Sequence, residues 1–335
     1  MTYLPKRVII ETEYTCNLKC KTCILWQDNY RKIRSQTKTL KIEELKYIHQ
    51  KLKENEVERI TYIGGEPFLK SYIIKAFEDA KEKKLKTSVV TNATLLNENI
   101  INKILKEELL ETIIFSIDGD RETHNQIRGD TTFQKAYNNA LILSRLKRKL
   151  KKRFPKFFIY TTISKLNYRN IETAIKELIK LNPNKIRLQL ISSIDEKIIN
   201  ITNQVLGFKA IKTHSYINEL FLDDSELKWL KNSIKTLPES GPKIEIEKLL
   251  IAKNERCQFI EKEFIITPDG RILICPMLNE FYIGNIYQES LTDIFTKNID
   301  KIETIKNLAN SKKLPVCYQC CVEKISFDST PSNFS

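Results

Sequence analysis

The stretch Arg7-Val8-Ile9-Ile10-Glu11-Thr12-Glu13-Tyr14-Thr15-Cys16-Asn17-Leu18-Lys19-Cys20-Lys21-Thr22-Cys23 joins an apolar run of strand length to a short loop with three cysteines in C-x3-C-x2-C spacing. No second cysteine pair is near; the next cysteine is Cys257. A structural zinc wants four ligands in tetrahedral closure. A [4Fe-4S] cube held by three cysteines instead keeps one iron open to another molecule. The spacing therefore points to a reactive iron–sulfur centre where a first strand stops.

Outward from that loop the pattern alternates. Apolar runs at 7–12, 59–63, 87–91, 111–117, 157–163 and 185–191 predict strands, and 42–54, 68–84, 95–107, 131–152 and 169–181 predict helices. Six β-then-α units imply a parallel sheet with helices outside, curled into a partial or complete barrel with ligands at the carboxyl ends of the strands. The chemistry-bearing segments fall at those ends. They are Gly64-Gly65-Glu66-Pro67 after the second strand, Thr91-Asn92-Ala93 after the third, and Ser116-Ile117-Asp118-Gly119 with His124 and Arg128-Gly129 after the fourth. Glycines let a backbone approach closely, a carboxylate accepts from ammonium or hydroxyl groups, and arginine grips a carboxylate bidentately. Thr91 and Asn92 equally fit a helix cap.

Together these motifs resemble the radical S-adenosylmethionine (radical SAM) superfamily. The resemblance implies an α/β fold, a partial (β/α)6 TIM-like barrel, and a [4Fe-4S] cluster on Cys16, Cys20 and Cys23. It also implies SAM on the open iron, reductive cleavage to a 5′-deoxyadenosyl radical, and hydrogen abstraction from a substrate C–H bond. In the family the GGEP loop, here Gly64, Gly65, Glu66 and Pro67, holds the methionine amine. Thr91, Asn92, Ser116 and Asp118 are then expected near SAM or substrate, and Arg128 near the SAM carboxylate. Many members carry an aromatic residue before the third cysteine, where this chain has Thr22; Trp26 offers an aromatic face instead. His124 reads as structural, and no residue is assigned as catalytic acid or base.

The C-terminal third carries a second series, Cys257-x12-Gly270-x4-Cys275, then Cys317, Cys320 and Cys321. The segment between Cys257 and Cys275 reads as a hairpin turning at Pro268-Asp269-Gly270, which brings the two cysteines toward one metal. The resemblance here is to SPASM or twitch extensions, and the short terminal series favours a twitch-like α+β iron–sulfur domain. One auxiliary [4Fe-4S] cluster is expected on Cys257, Cys275, Cys317 and Cys320, with Cys321 as the odd thiol. A zinc ribbon on the same thiolates is the competing reading. The expected domains are a barrel core over 1–215, a bridge over 216–250 that includes a helix from Asp224 to Thr236, and the cluster domain over 251–335.

Composition excludes several classes. With 335 residues, 41% of them hydrophobic, the chain can build sizeable cores, and no apolar run reaches membrane-spanning length. The opening Met-Thr-Tyr-Leu-Pro-Lys shows no signal-peptide pattern, so a cytoplasmic enzyme is expected, with clustered cysteines serving metals over disulfides. The net charge of +14 comes from lysine spread along the helices, its densest run at Arg145 to Arg153, and fits solvated helix ends better than nucleic acid. The leading expectation is an oxidoreductase in which the auxiliary cluster accepts the substrate's electron, fed by a donor such as flavodoxin or ferredoxin. Because fifteen residues precede Cys16, a small polar or sugar-like substrate is favoured over a peptide. The alternatives are an epimerase without net oxidation, a peptide maturase, and, more distantly, a basic zinc-binding protein that contacts nucleic acid.

Overall fold

All six apolar runs are strands, and their alternation decides what each face meets. The structure is a computed structural model that describes residues 4–26, 38–191, 196–211, 218–235, 237, 242–247, 257–320 and 324–326. The strands are β1 (Arg7–Glu11), β2 (Arg59–Ile63), β3 (Lys86–Thr91), β4 (Thr112–Ser116), β5 (Lys156–Ile163) and β6 (Lys185–Leu190). Each pairs in parallel with the next. In β5, Phe157, Ile159 and Ile163 are buried while the intervening Phe158, Tyr160 and Thr162 are half-buried, so one face packs under helices and the other lines the concave side. The interior strand β4 is buried through Thr112, Ile113, Ile114 and Phe115, as a parallel strand covered on both faces must be.

The connecting helices carry the complementary apolar stripe. Glu98–Lys106 buries Ile101, Ile104 and Leu105 and starts at Asn97, whose side chain accepts from the Ile100 N–H at 3.0 Å. Such a cap contributes about 1 kcal/mol. Ile42–Glu54, Ile73–Glu82, Thr132–Lys149 and Ile171–Ile179 bury their stripes in the same core. The additional helix Arg121–Arg128 fills the segment after β4 and starts at Asp120, which accepts from the Thr123 N–H.

Both ends of the barrel sheet continue, one into a segment that carried little strand signal and the other into the expected hairpin. Beyond β6 lies β7 (Lys243–Glu247), parallel to it, and then β11 (Lys324–Ser326), antiparallel. Beyond β1 lies β8 (Glu263–Ile266), parallel to it, followed by the antiparallel β9 (Arg271–Leu273) and β10 (Tyr282–Asn285). Among the described residues the result is one sheet of eleven strands in the order β10-β9-β8-β1-β2-β3-β4-β5-β6-β7-β11. Because β1 takes β8 and β6 takes β7 as second neighbours, the barrel stays open. The hairpin expected at Pro268-Asp269-Gly270 is present, with Gly270 at φ +83°.

Within the bridge Asp224–Ile234 is helical, and Glu196–Leu206 is a further helix between β6 and the bridge. Cys321 and Thr236 lie outside the described residues. Among the described residues, no helix is long and apolar enough to cross a membrane.

Candidate functional site

The last concave-facing residues of four adjacent strands, Ile63, Val90, Ser116 and Thr162, form one wall of a cavity of about 240 Å³. The cysteine loop lines the same space, through Cys16, Cys20 and Cys23. Gly64, Gly65, Thr91, Asn92, Arg128 and Trp26 line it as well. The structure thus gathers, from segments more than a hundred residues apart, most of the residues that sequence reasoning had marked. Thr162 was missed; its only signal was its parity in β5, two residues after Tyr160.

Two glycines hold the cysteine loop, and they do so against the chain itself. The Gly65 N–H donates to the Glu13 carbonyl at 2.7 Å and the Glu66 N–H to the Thr15 carbonyl at 3.0 Å. A Cβ on Gly65 would sit 1.8 Å from the Thr15 oxygen, and one on Gly64, which has φ +151°, 2.5 Å from the Glu13 oxygen. The close approach that these glycines permit is therefore to the backbone before Cys16. On the other side the Lys21 N–H donates to the Ile127 carbonyl at 2.8 Å, tying the loop to the helix that carries Arg128.

Glu66, Pro67 and Asp118 stand behind the cavity wall, fully buried or nearly so. Glu66 Oε1 accepts from the Phe68 N–H at 3.0 Å and the Thr91 hydroxyl at 2.7 Å, and Oε2 from the Asn92 N–H at 2.8 Å. This carboxylate clamps the loop after β2 to the end of β3, where sequence reasoning placed it against an ammonium group. Burial pushes its pKa up to about 7, against the pull of those three donors. Asp118 Oδ2 accepts the Arg128 Nε–H at 2.6 Å, and Oδ1 accepts the Thr162 N–H at 2.9 Å. The Asp118 N–H donates to His124 Nδ1 at 3.1 Å, so His124 is a neutral structural acceptor, and burial drives its pKa down to about 3. Thr91 and Asn92 do not cap the next helix; Asn97 does.

The donor set fits an iron–sulfur group. Burial raises the Cys16 thiol to about 11, opposed by the Leu18 N–H, and the Cys20 thiol to about 12, opposed by Arg128. Thiolates there need a cationic partner, which a cluster's iron provides. Among the described residues no three His, Cys, Asp or Glu side chains stand in formed ligating geometry. The fit rests on three thiol residues lining one cavity.

The second cysteine set lies beside the hairpin. Cys257 heads the short helix Gln258–Lys262, its N–H bonded to Asn310 Oδ1 at 2.8 Å. Cys275 follows β9 and is buried, its thiol raised by burial and then by the nearby Cys317 and Cys257. Cys317 lies in the turn Pro315–Gln319 with Cys320 as its C-cap, and the Val316 N–H donates to Thr202 Oγ1 at 3.1 Å. The helix Glu196–Leu206, which carries Thr202, therefore anchors the terminal cysteine turn.

Comparison with known proteins agrees with this geometry. Residues 10–178 match the family model described as the Radical SAM superfamily, and residues 257–321 the one described as SPASM, an iron-sulfur cluster-binding domain. The chain is 25% identical, over 91% of its length and 83% of the relative's, to a Cysteine-type anaerobic sulfatase-maturating enzyme from Clostridium novyi (strain NT). Among solved structures it is similar to SuiB of Streptococcus suis bound to S-adenosylmethionine, with TM-score 0.68 and 19% identity, covering 96% of this chain and 73% of that one. SuiB bound to precursor peptide SuiA superimposes with TM-score 0.66 at 19% identity, covering 96% and 72%. Native anSMEcpe with bound AdoMet gives TM-score 0.65 at 20% identity, covering 90% and 83%.

Proposed function

We propose, on the premise that the chain belongs to the radical SAM superfamily and carries a SPASM iron–sulfur domain, that it is a peptide- or protein-modifying enzyme. Its cofactors are a [4Fe-4S] cluster with S-adenosylmethionine and an auxiliary iron–sulfur cluster. When bound, the first cluster and SAM supply a 5′-deoxyadenosyl radical for hydrogen abstraction. The auxiliary cluster, taken as one [4Fe-4S] group on Cys257, Cys275, Cys317 and Cys320, is read as the acceptor of the substrate's electron, with a flavodoxin or ferredoxin as external reductant.

The observation that carries the reading is the shared cavity of Cys16, Cys20, Cys23 and Arg128 at the carboxyl ends of the strands. Arg128, held by Asp118, presents a guanidinium suited to the SAM carboxylate. Ser116 and Thr162 offer hydroxyls from the strand ends, and Trp26 an aromatic face for the adenine. Gly64 and Gly65 fix the cysteine loop, while Glu66 fixes the loop that supports it.

A peptide takes precedence over the small polar substrate favoured on sequence grounds because the relative aligned over 91% of the chain is named a sulfatase-maturating enzyme. A fold neighbour solved with a precursor peptide adds to that preference.

The test is anaerobic reconstitution followed by iron analysis and incubation with SAM and reductant. About eight irons per chain, falling to about four in a Cys16/Cys20/Cys23→Ala triple variant, together with 5′-deoxyadenosine production that the variant loses, supports the reading. Intact clusters without 5′-deoxyadenosine reject it. Deuterium passing from a deuterated peptide substrate into 5′-deoxyadenosine identifies the substrate class, and loss of two hydrogens from the product separates oxidation from epimerisation.

A further inference from the structure

Asn92 directs an amide hydrogen at one ligand of the cysteine triplet. Its Nδ2 lies 3.7 Å from the Cys16 sulfur and 3.0 Å from Asn17 Oδ1. The side chain is nearly buried, at 7% exposure. Its orientation is set by a closed ring of hydrogen bonds. The Thr94 N–H and hydroxyl both donate to Asn92 Oδ1, at 2.9 and 2.6 Å, and Asn17 Nδ2 donates to Thr94 Oγ1 at 2.9 Å. Flipping the amide would set its NH2 against the Thr94 N–H and leave two oxygens facing each other at Asn17, so the nitrogen faces Cys16. The Leu18 N–H reaches the same sulfur at 3.4 Å. Cys16 thus collects an amide donor from its own loop and a second from the end of β3.

We propose that Asn92 is a positioning residue whose Nδ2–H bonds to the Cys16 thiolate and raises the reduction potential of the cluster held there. The inference rests on the SAM-cluster reading above. Hydrogen bonds to cluster sulfurs stabilise the reduced, more negative state, so each donor makes the cluster easier to reduce. The same donor engages the cysteine that opens the motif, which links electron acceptance to the loop after β3.

The experiment is an EPR-monitored redox titration of the reconstituted full chain, following the signal that changes on SAM addition. The variants are Asn92→Leu, which keeps the volume, and Asn92→Ser, which keeps an acceptor for the Thr94 N–H but cannot reach Cys16. Asn17→Ala is the control, because it breaks the loop-to-loop bridge while the two Thr94 bonds to Asn92 Oδ1 still hold the amide next to Cys16. The expected result is a midpoint moved to more negative potential in both Asn92 variants, with full iron content and an unchanged midpoint in Asn17→Ala. An unchanged midpoint in the Asn92 variants, an equal shift in Asn17→Ala, or loss of the cluster from both Asn92 variants overturns the proposal. Absence of SAM-responsive iron in the parent chain would instead refute the cluster reading on which it stands.

Discussion

Asp118 and Arg128 form a buried ion pair, Nε to Oδ2 at 2.6 Å, in which the aspartate is fully buried and the arginine side chain only 12% exposed. The pair spans the turn after β4 and the helix Arg121–Arg128, and through the Thr162 N–H it also reaches β5. Asp118→Ala leaves a nearly buried guanidinium unpaired on the cavity wall. The expected cost is about 3–5 kcal/mol of stability together with weakened SAM binding, read by thermal unfolding and equilibrium dialysis. Asp118→Asn, which keeps an acceptor, is expected to lose SAM affinity with a smaller loss of stability. Unchanged SAM affinity in both variants would remove Arg128 from the binding site.

Gly65→Ala is expected to displace the cysteine loop, since no rearrangement of a flexible side chain can relieve a Cβ set 1.8 Å from the Thr15 carbonyl oxygen. Iron analysis should then show the first cluster lost and the auxiliary one kept, about four irons against about eight in the parent. A Gly65→Ala chain with full iron and a normal EPR response to SAM would show that the loop is not held there.

Ala93 occupies the left-handed region at φ +62° and is fully buried, its N–H bonded to Thr91 Oγ1 and its carbonyl to Asn139 Nδ2. An L-residue there costs roughly 1–2 kcal/mol, whereas glycine adds roughly 0.4–1 kcal/mol of chain entropy in the unfolded state. Ala93→Gly should therefore stabilise the fold, by up to about 1 kcal/mol in chemical denaturation. A loss of stability would mean that the methyl's packing outweighs the strain.

His49 reports on pH away from the site. Its Nδ1 lies 2.7 Å from Asp79 Oδ2 and its Nε2 2.7 Å from the Tyr62 hydroxyl, and burial depresses its pKa to about 4. Between roughly pH 4 and 6.5 the unfolded histidine holds more protons than the folded one, so stability falls as the pH drops through that window and is flat above it. The stability advantage of the parent over His49→Gln should shrink by up to about 3 kcal/mol across those pH values. A pH-independent difference would mean that His49 is charged in the folded state.

The strands and helices of the core were legible because their signals are local. The alternation in Lys156–Ile163 and the 3.6-residue stripe in Glu98–Lys106 each follow from which side of one element meets the core. The cysteine triplet was legible for the same reason, since its spacing within one loop fixes how many thiols one metal group can take. β7 was not, nor was the pairing of the hairpin strand β8: Lys243–Glu247 is short, and what makes it and Glu263–Ile266 parallel neighbours of β6 and β1 is pairing with strands many residues away.

By itself the sequence determined that an alternating β/α sheet would carry an open iron–sulfur loop at its strand ends, with a second cysteine set toward the C-terminus. Only the tertiary structure decided which polar groups face the cavity. Gly65 is required by the Thr15 carbonyl, Glu66 is turned inward onto Thr91 and Asn92, and Asp118 is spent on Arg128. A motif names the groups a segment offers. Which of them a buried donor claims first depends on the neighbouring strands that the fold sets beside it, because an unsatisfied polar group out of water costs about 1–3 kcal/mol and is paired before any ligand arrives.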